Sequence, residues 1–216
     1  MTAKIEAVIW DFGGVITSSP FDAFSQYELA NGLPRDFIRS VNARNGDTNA
    51  WAQLERSEVT AGEFDVLFKA ESAALGHEVP GKDILDLLSG AIRPAVVNAL
   101  RVCGSHVKVG CITNNAPIGK GASMTSDEDK AEKVKAVMEL FDHVIESSKL
   151  GIRKPDPRIY ELMCESLEVS PSRCVYLDDL GINLKPARAM GMTTIKVLSE
   201  NQLLSDLRRI TGFEEI

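Results

Sequence analysis

Short apolar runs alternate with segments of helical periodicity over the whole second half of the chain, and this alternation most constrains its fold. Residues 107–113 read as a strand. Val134, Val137 and Leu140 then mark a helix, and Val144 with Ile145 the next strand. Asp156-Pro157 reads as an N-cap followed by proline in the first turn, ahead of Ile159, Leu162, Met163 and Leu167 on one helical face. Residues 174–177 form a strand, a short helix runs to Met190 and stops at Gly191, and residues 193–197 form another strand. Strands separated by helices pair in parallel, with the helices on both faces of one sheet. A fifth strand comes from Ile5 to Trp10, too short for a useful helix and long enough for a buried strand.

The block between that first strand and the rest has a different character. Ser18-Ser19-Pro20 starts a helix carrying Phe21, Phe24 and Leu29, and Asn31-Gly32 stops it. Pro34 opens a segment with Phe37, Ile38 and Val41, and Asn45-Gly46-Asp47 is a loop. Thr60-Ala61-Gly62-Glu63 has the form of a capping box ahead of Phe64, Leu67 and Phe68. Residues 17–92 therefore form an inserted helical domain, and residues 1–16 with 93–216 form an α/β core. Pro94 begins a helix through Val97 and Leu100 that Gly104 is expected to end. Residues 120–130 are polar and read as a loop merging into the next helix.

A chain of 216 residues, 44% hydrophobic and 25% charged, has room for such a core and its insertion. Its net charge of −7 argues against binding nucleic acid through broad electrostatics, but a small anion needs only a local set of donors. Cys103, Cys111, Cys164 and Cys174 show no C-x-x-C spacing and sit in or beside apolar runs, which points to buried, reduced thiols and a cytoplasmic protein. No apolar run approaches the roughly 20 residues of a membrane helix, so no membrane partner is expected. Nor does the amino terminus have the pattern of a secretory signal.

Four polar signals stand at or just beyond the ends of these elements: Asp11, Thr113-Asn114, Lys154 and Asp178-Asp179. Open parallel sheets bind ligands outside the carboxyl ends of their strands, where strand order reverses, so these groups are expected to converge. Together they suit phosphoryl transfer. Asp11 is placed to attack phosphorus, and Thr113 with backbone N–H groups to bind phosphoryl oxygens. Lys154 would neutralise developing charge, and Asp179 with Asp11 would hold Mg²⁺, a hard cation that favours oxygen ligands. Taken singly, each also fits a plain role as a strand cap, a solvated lysine or a charged turn.

In order, Asp11-Phe12-Gly13-Gly14-Val15, Cys111-Ile112-Thr113-Asn114, Arg153-Lys154-Pro155-Asp156-Pro157 and Leu177-Asp178-Asp179 resemble the four signatures of the haloacid dehalogenase superfamily, chiefly its phosphatases. The stretch Glu146-Ser147 through Gly151 and the run from Leu177 to Arg188 are especially similar to the amino-terminal phosphatase domain of soluble epoxide hydrolases. Leu54-Glu55-Arg56-Ser57-Glu58-Val59-Thr60 resembles that subgroup's cap. With the sequence ending near Ile216, no epoxide-hydrolysing domain is expected to follow.

The resemblance implies a Rossmann-like sheet of order 5-4-1-2-3 with an inserted helical cap. It implies catalysis by Asp11, Thr113 and Lys154 on a small phosphorylated metabolite, with the phosphate held by Thr113, Asn114 and Lys154. It further implies Mg²⁺ on the Asp11 carboxylate, the Gly13 carbonyl and the Asp179 carboxylate, with Asp178 and Asn183 supporting those ligands from behind. Cap residues Phe21, Phe24, Asn45, Trp51 and Glu55 are candidates for contact with the substrate. One position departs from the pattern: Gly13 stands where many of these phosphatases carry a second aspartate as general acid and base. Two other readings therefore stay open, a metal-free 2-haloacid dehalogenase and a catalytically weak phosphate-binding regulatory module. Asp178-Asp179 weighs against the dehalogenase, because adjacent carboxylates repel an anionic substrate unless a cation is present.

Overall fold

The structure is a computed structural model that describes residues 4–119, 124–125 and 127–216. Residues 120–123 and 126, within the polar loop expected over 120–130, lie outside the described residues, and the end of that stretch is already helical.

Five parallel strands, β1 (Ala7–Trp10), β2 (Lys108–Thr113), β3 (His143–Glu146), β4 (Cys174–Asp178) and β5 (Thr193–Lys196), form one sheet in the order β3-β2-β1-β4-β5. This is the expected order read from the opposite edge. Residues of β1 alternate between two cores, as the pleat requires. Val8 and Trp10 join one core with Val96, Leu100, Val134 and Leu207, while Ala7 and Ile9 join the other with Ile159, Met163 and Leu184. The first core is built on α6 (Pro94–His106), α7 (Glu128–Met138) and α11 (Glu200–Thr211), and the second on α9 (Pro157–Leu167) and α10 (Gly181–Ala189), while a single turn, α8 (Ser147–Leu150), follows β3 directly. Both faces of β1 are thus covered, which is why its sequence is continuously apolar.

Several boundaries differ from the sequence reading, and one helix is added. Helix α6 continues through Gly104 to His106, and the extended Val107 then caps it rather than starting β2. Cys103 is buried in the first core, and that packing outweighs the roughly 1 kcal/mol helix penalty of a glycine. Strand β4 includes Asp178, which pairs with Lys196. Helix α11 adds a further element, opened by Ser199, whose side chain accepts from the Gln202 N–H, and closed at Gly212 in the left-handed region.

Residues between β1 and α6 form α1 (Pro20–Ala30), α2 (Phe37–Ala43), α3 (Ala50–Glu55), α4 (Ala61–Ala73) and α5 (Gly81–Leu85). They bury a third core of Phe24, Ile38, Leu54, Phe64, Phe68 and Ile84. Ser19 caps α1, and Thr60 with Glu63 makes the reciprocal capping box at α4, both as the sequence indicates. Two antiparallel connections tie this block to the sheet. Thr17 bridges to Ile92, Ser18 N–H donates to the Ala91 carbonyl at 2.7 Å, and Arg93 N–H donates to the Ile16 carbonyl at 2.9 Å. All four cysteines are free and buried. No helix of the described residues is long and apolar enough to cross a membrane.

Candidate active site

Strand β1 lies between β2 and β4, so the sheet reverses its order at β1 and opens a crevice beyond the strand ends. Trp10 pairs with Cys111 on one side and Leu177 on the other, which brings Asp11 level with the ends of β2 and β4. Its N–H donates to the Leu177 carbonyl at 2.8 Å, extending the ladder by one residue. The Asp11 Oδ1 atom accepts from Phe12 N–H at 2.6 Å and from Lys154 Nζ at 2.8 Å. These donors fix the carboxylate in one orientation at the floor of the crevice.

Gly13 and Gly14 turn the chain away from Asp11, and only Gly14 needs to be glycine for conformation. Its φ is +76°, and a Cβ there would collide with the Asp179 carboxylate, whereas a Cβ on Gly13 would meet nothing within 4 Å. Arg93 steadies the turn by donating from one guanidinium nitrogen to the Gly14 carbonyl at 2.9 Å.

Lys154 is 1% exposed, and its three ammonium donors face Asp11 Oδ1 at 2.8 Å, Asp178 Oδ2 at 2.9 Å and the Ile112 carbonyl at 2.9 Å. Burial alone would push its pKa down, but the Asp11 and Asp178 carboxylates outweigh that and hold it above the ordinary lysine range. Asp178, fully buried, is surrounded by donors. Oδ2 accepts from Lys154 and from the Tyr176 hydroxyl at 2.5 Å, Oδ1 accepts from Leu180 N–H at 2.7 Å, and Asn183 Nδ2 reaches both oxygens at 3.1 Å. Asp179 turns the other way, into the crevice, where the Ser19 hydroxyl donates to its Oδ2 at 3.5 Å.

Carboxylate oxygens of Asp11, Asp178 and Asp179 come within 4.8 Å of one another. Three acids against one lysine leave an excess of negative charge in a desolvated place. Burial raises the pKa of Asp11 well above the usual carboxylate range, with Lys154 opposing and Asp178 and Asp179 adding to it. Burial, then Asp178, likewise raises Asp179 to about 6. Such a cluster of hard oxygens is suited to a small divalent cation, whose charge would keep all three acids ionised. Asp178 already has a donor on each lone-pair direction, so the ligands left to a cation are Asp11 and Asp179.

Thr113 ends β2 and faces the same cavity, 4% exposed. Asn114 reaches the site differently from a simple phosphate donor. Its side-chain oxygen accepts from Lys154 N–H at 2.9 Å and its Nδ2 donates to the Lys154 carbonyl at 3.0 Å, so the amide grips the lysine's own backbone. Asn115, which sequence reasoning missed, performs a related task one residue on. It accepts from the Ser148 N–H and hydroxyl and donates to Glu146, locking the loop after β2 to the end of β3 and the helical turn that follows it. A polar residue after Thr113-Asn114 was the available signal, but its partners lie more than 30 residues away.

The crevice is roofed by the helical block and encloses a cavity of about 460 Å³. Asp11, Thr113, Lys154 and Asp179 line its floor; Phe21, Phe24, Trp51 and Leu54 from the helical block and Leu180 and Ile182 from the core line its walls. Asn45 does not line it. That residue sits in a left-handed turn, its carbonyl accepting from Thr48 and Asn49 N–H groups. Glu55 reaches down from α3 to the core side of the cavity.

Residues 5–191 match the haloacid dehalogenase-like hydrolase family. Mouse Bifunctional epoxide hydrolase 2 is 30% identical over 96% of the chain, which spans 39% of that protein's length. Phosphatase MT3486 of Mycobacterium tuberculosis is 31% identical over 88% of the chain and 85% of its own. Among solved structures, a haloacid dehalogenase family enzyme from Bacteroides thetaiotaomicron in complex with magnesium and inorganic phosphate superposes with a TM-score of 0.58 at 19% identity, covering 91% of this chain and 96% of that one. The L-2-haloacid dehalogenase of Xanthobacter autotrophicus superposes with a TM-score of 0.59 at 20% identity, covering 97% and 87%. At these identities both structures speak to the fold.

Proposed function

The chain belongs to the haloacid dehalogenase-like hydrolase family, and from that premise we propose that it is a magnesium-dependent phosphatase working through an aspartyl phosphate on Asp11. The observation that carries this reading is the acidic cluster around Lys154. A dehalogenase must bring an anionic haloacid to its aspartate, and three clustered carboxylates with a single lysine oppose that. A phosphatase with a divalent cation on the Asp11 and Asp179 carboxylates and the Gly13 carbonyl turns the same cluster into an anion site.

Bound there, the cation would supply positive charge for the phosphoryl oxygens. The chain's own groups do the rest. Lys154 and Phe12 N–H orient the Asp11 carboxylate for in-line attack on phosphorus, and Lys154 stabilises charge on the transferring group. The Thr113 hydroxyl and the main-chain N–H of Asn114 serve the phosphoryl oxygens, while the Asn114 side chain keeps Lys154 in place. A new Asp11–phosphorus bond forms as the bond to the leaving oxygen breaks. Water then attacks phosphorus, returning free Asp11 and inorganic phosphate. Asp178, itself held by the Asn183 amide, holds Lys154 from behind.

The helical block acts as the cap, and Phe21, Phe24, Trp51 and Leu54 in the cavity wall favour a phosphate ester that carries an apolar body. Screening phosphate esters with and without Mg²⁺ tests this function. Turnover only with the metal supports it; release of halide from a 2-haloacid by metal-free protein would replace it with the dehalogenase reading.

A further inference from the structure

A continuous line of hydrogen bonds joins the helical block to Asp11, and it starts at Glu55. This side chain, at the carboxyl end of α3, is 7% exposed although it belongs to a short helix on the roof of the cavity. Its Oε1 accepts from Trp51 Nε1 one turn earlier, at 2.9 Å. Its Oε2 leaves the helical block and accepts from Arg153 Nε at 2.6 Å and from Asn114 Nδ2 at 3.2 Å. Asn114 in turn grips both sides of the Lys154 peptide, and Lys154 Nζ donates to Asp11. Arg153 adjoins Lys154 in sequence and also donates to the Gly46 carbonyl of the helical block at 2.8 Å.

We infer that Glu55 is a positioning residue, which sets Lys154 against Asp11 only while α3 is seated on the core. The inference rests on the phosphatase reading, and it gives the cap a task beyond enclosing substrate. Both partners of Oε2 bear on the same short segment: Arg153 through its side chain and Asn114 through its grip on the Lys154 backbone. When α3 lifts away, the Arg153 guanidinium and the Asn114 amide lose a buried charged acceptor together. The Lys154 ammonium keeps Asp178 and the Ile112 carbonyl, but its backbone is then gripped by an Asn114 amide no longer oriented from its far side. Ser57 Oγ, which donates to the Ser148 carbonyl at 2.6 Å, also crosses from the helical block to the core, but it bears on the helical turn after β3 rather than on Lys154. Substrate that wedges the cap open would therefore be bound without being turned over, and correct closure would align the lysine.

The experiment compares the unmutated protein with Glu55→Gln, Asn114→Ala and the double variant. It uses 4-nitrophenyl phosphate and Mg²⁺, with thermal melting to confirm folding. Glu55→Gln keeps the shape and removes the charge. Losing a charge-assisted hydrogen bond of this kind is expected to lower kcat about 10–100-fold, with KM for this small substrate changed less than about threefold. In the Asn114→Ala background the same substitution should have little further effect, because the line is already cut. Effects that multiply, a kcat within twofold of the unmutated protein, or a loss confined to KM would overturn the inference. Should Glu55→Gln melt early, Arg153→Gln cuts the same carboxylate contact from the more exposed side and should reproduce the kcat loss. Amide hydrogen exchange at Lys154 needs no turnover and separates failure of this inference from failure of the phosphatase reading. It should quicken at least about tenfold in Glu55→Gln if the charged contact is lost, and unchanged exchange would refute the role even in a protein that hydrolyses nothing.

Discussion

Gly13→Asp would add the acid that the site lacks, and the structure makes room for it. Positive φ in this turn belongs to Gly14, and a Cβ on Gly13 meets no heavy atom within 4 Å. Aspartate is therefore tolerated at 13. A new carboxyl there would share a desolvated pocket with Asp11, Asp178 and Asp179, and like charges raise its pKa toward the range a general acid needs. A positioned acid contributes about 10²–10⁴-fold, or about 3–5 kcal/mol of barrier. The gain should appear where the leaving group needs a proton. Alkyl phosphates should be cleaved faster by about that factor in Gly13→Asp, and aryl phosphates, which leave readily as anions, should gain little. The unmutated protein should correspondingly slow steeply as leaving-group pKa rises. Single-turnover release of the leaving group, measured across an aryl and alkyl series with Mg²⁺, isolates the bond-breaking step. A flat dependence there would show that another group donates the proton and would refute the reasoning.

Asp11→Asn should abolish turnover and leave the melting temperature close to that of the unmutated protein, and excess chelator should stop the unmutated protein too; steady-state assays and thermal melts check both. Asp179→Ala should raise the Mg²⁺ concentration needed for half-maximal activity far more than Asp178→Asn does, since Asp179 faces the cavity and Asp178 is enclosed by donors. Asp178→Ala should instead destabilise the protein by about 3–5 kcal/mol in urea, because it leaves buried Lys154 short of a counter-charge. For the metal-free protein, folding raises the pKa of Asp179 to about 6 and that of Asp11 as well, so their neutral forms are favoured and stability falls as pH rises from about 4 through 6. Mg²⁺ must displace those protons, so the melting-temperature increase it causes should be small at pH 5 and large above pH 7; an increase that shrinks with pH would contradict the ligand assignment.

The sheet was legible because its signals are local. Val8 to Trp10 had to be buried on both sides, and the strand–helix alternation after residue 107 left a parallel sheet as the natural arrangement. The caps at Ser19, Thr60 and Asp156 were legible for the same reason: each side chain bonds to a backbone N–H two or three residues away. Gly104 misled because its effect on α6 depends on packing of Cys103 against the sheet, a long-range matter. Helix α11 did carry readable signals in Ser199 and Gly212, but its polar composition masked Leu203 and Leu207. In the site, the positions of Asp11, Thr113 and Asp178-Asp179 followed from strand ends, and Lys154 from the Arg153-Lys154-Pro155-Asp156-Pro157 signature. The division of labour between Asp178 and Asp179, the grip of Asn114 on Lys154, and the reach of Glu55 across 98 residues to Arg153 are properties of side-chain direction, which spacing alone does not carry.

Whether phosphate passes through Asp11 is decided most directly by trapping it. Protein mixed with an aryl phosphate and Mg²⁺, quenched in acid within the first turnover and digested, should yield a single peptide carrying one added phosphoryl group, mapped to Asp11. With no carboxylate at position 13 to take a proton from the attacking water, that species should accumulate and appear alongside a burst of released phenol. Phosphate on any other residue, or product formed at full rate with no labelled peptide at any quench time, would contradict Asp11 as the nucleophile.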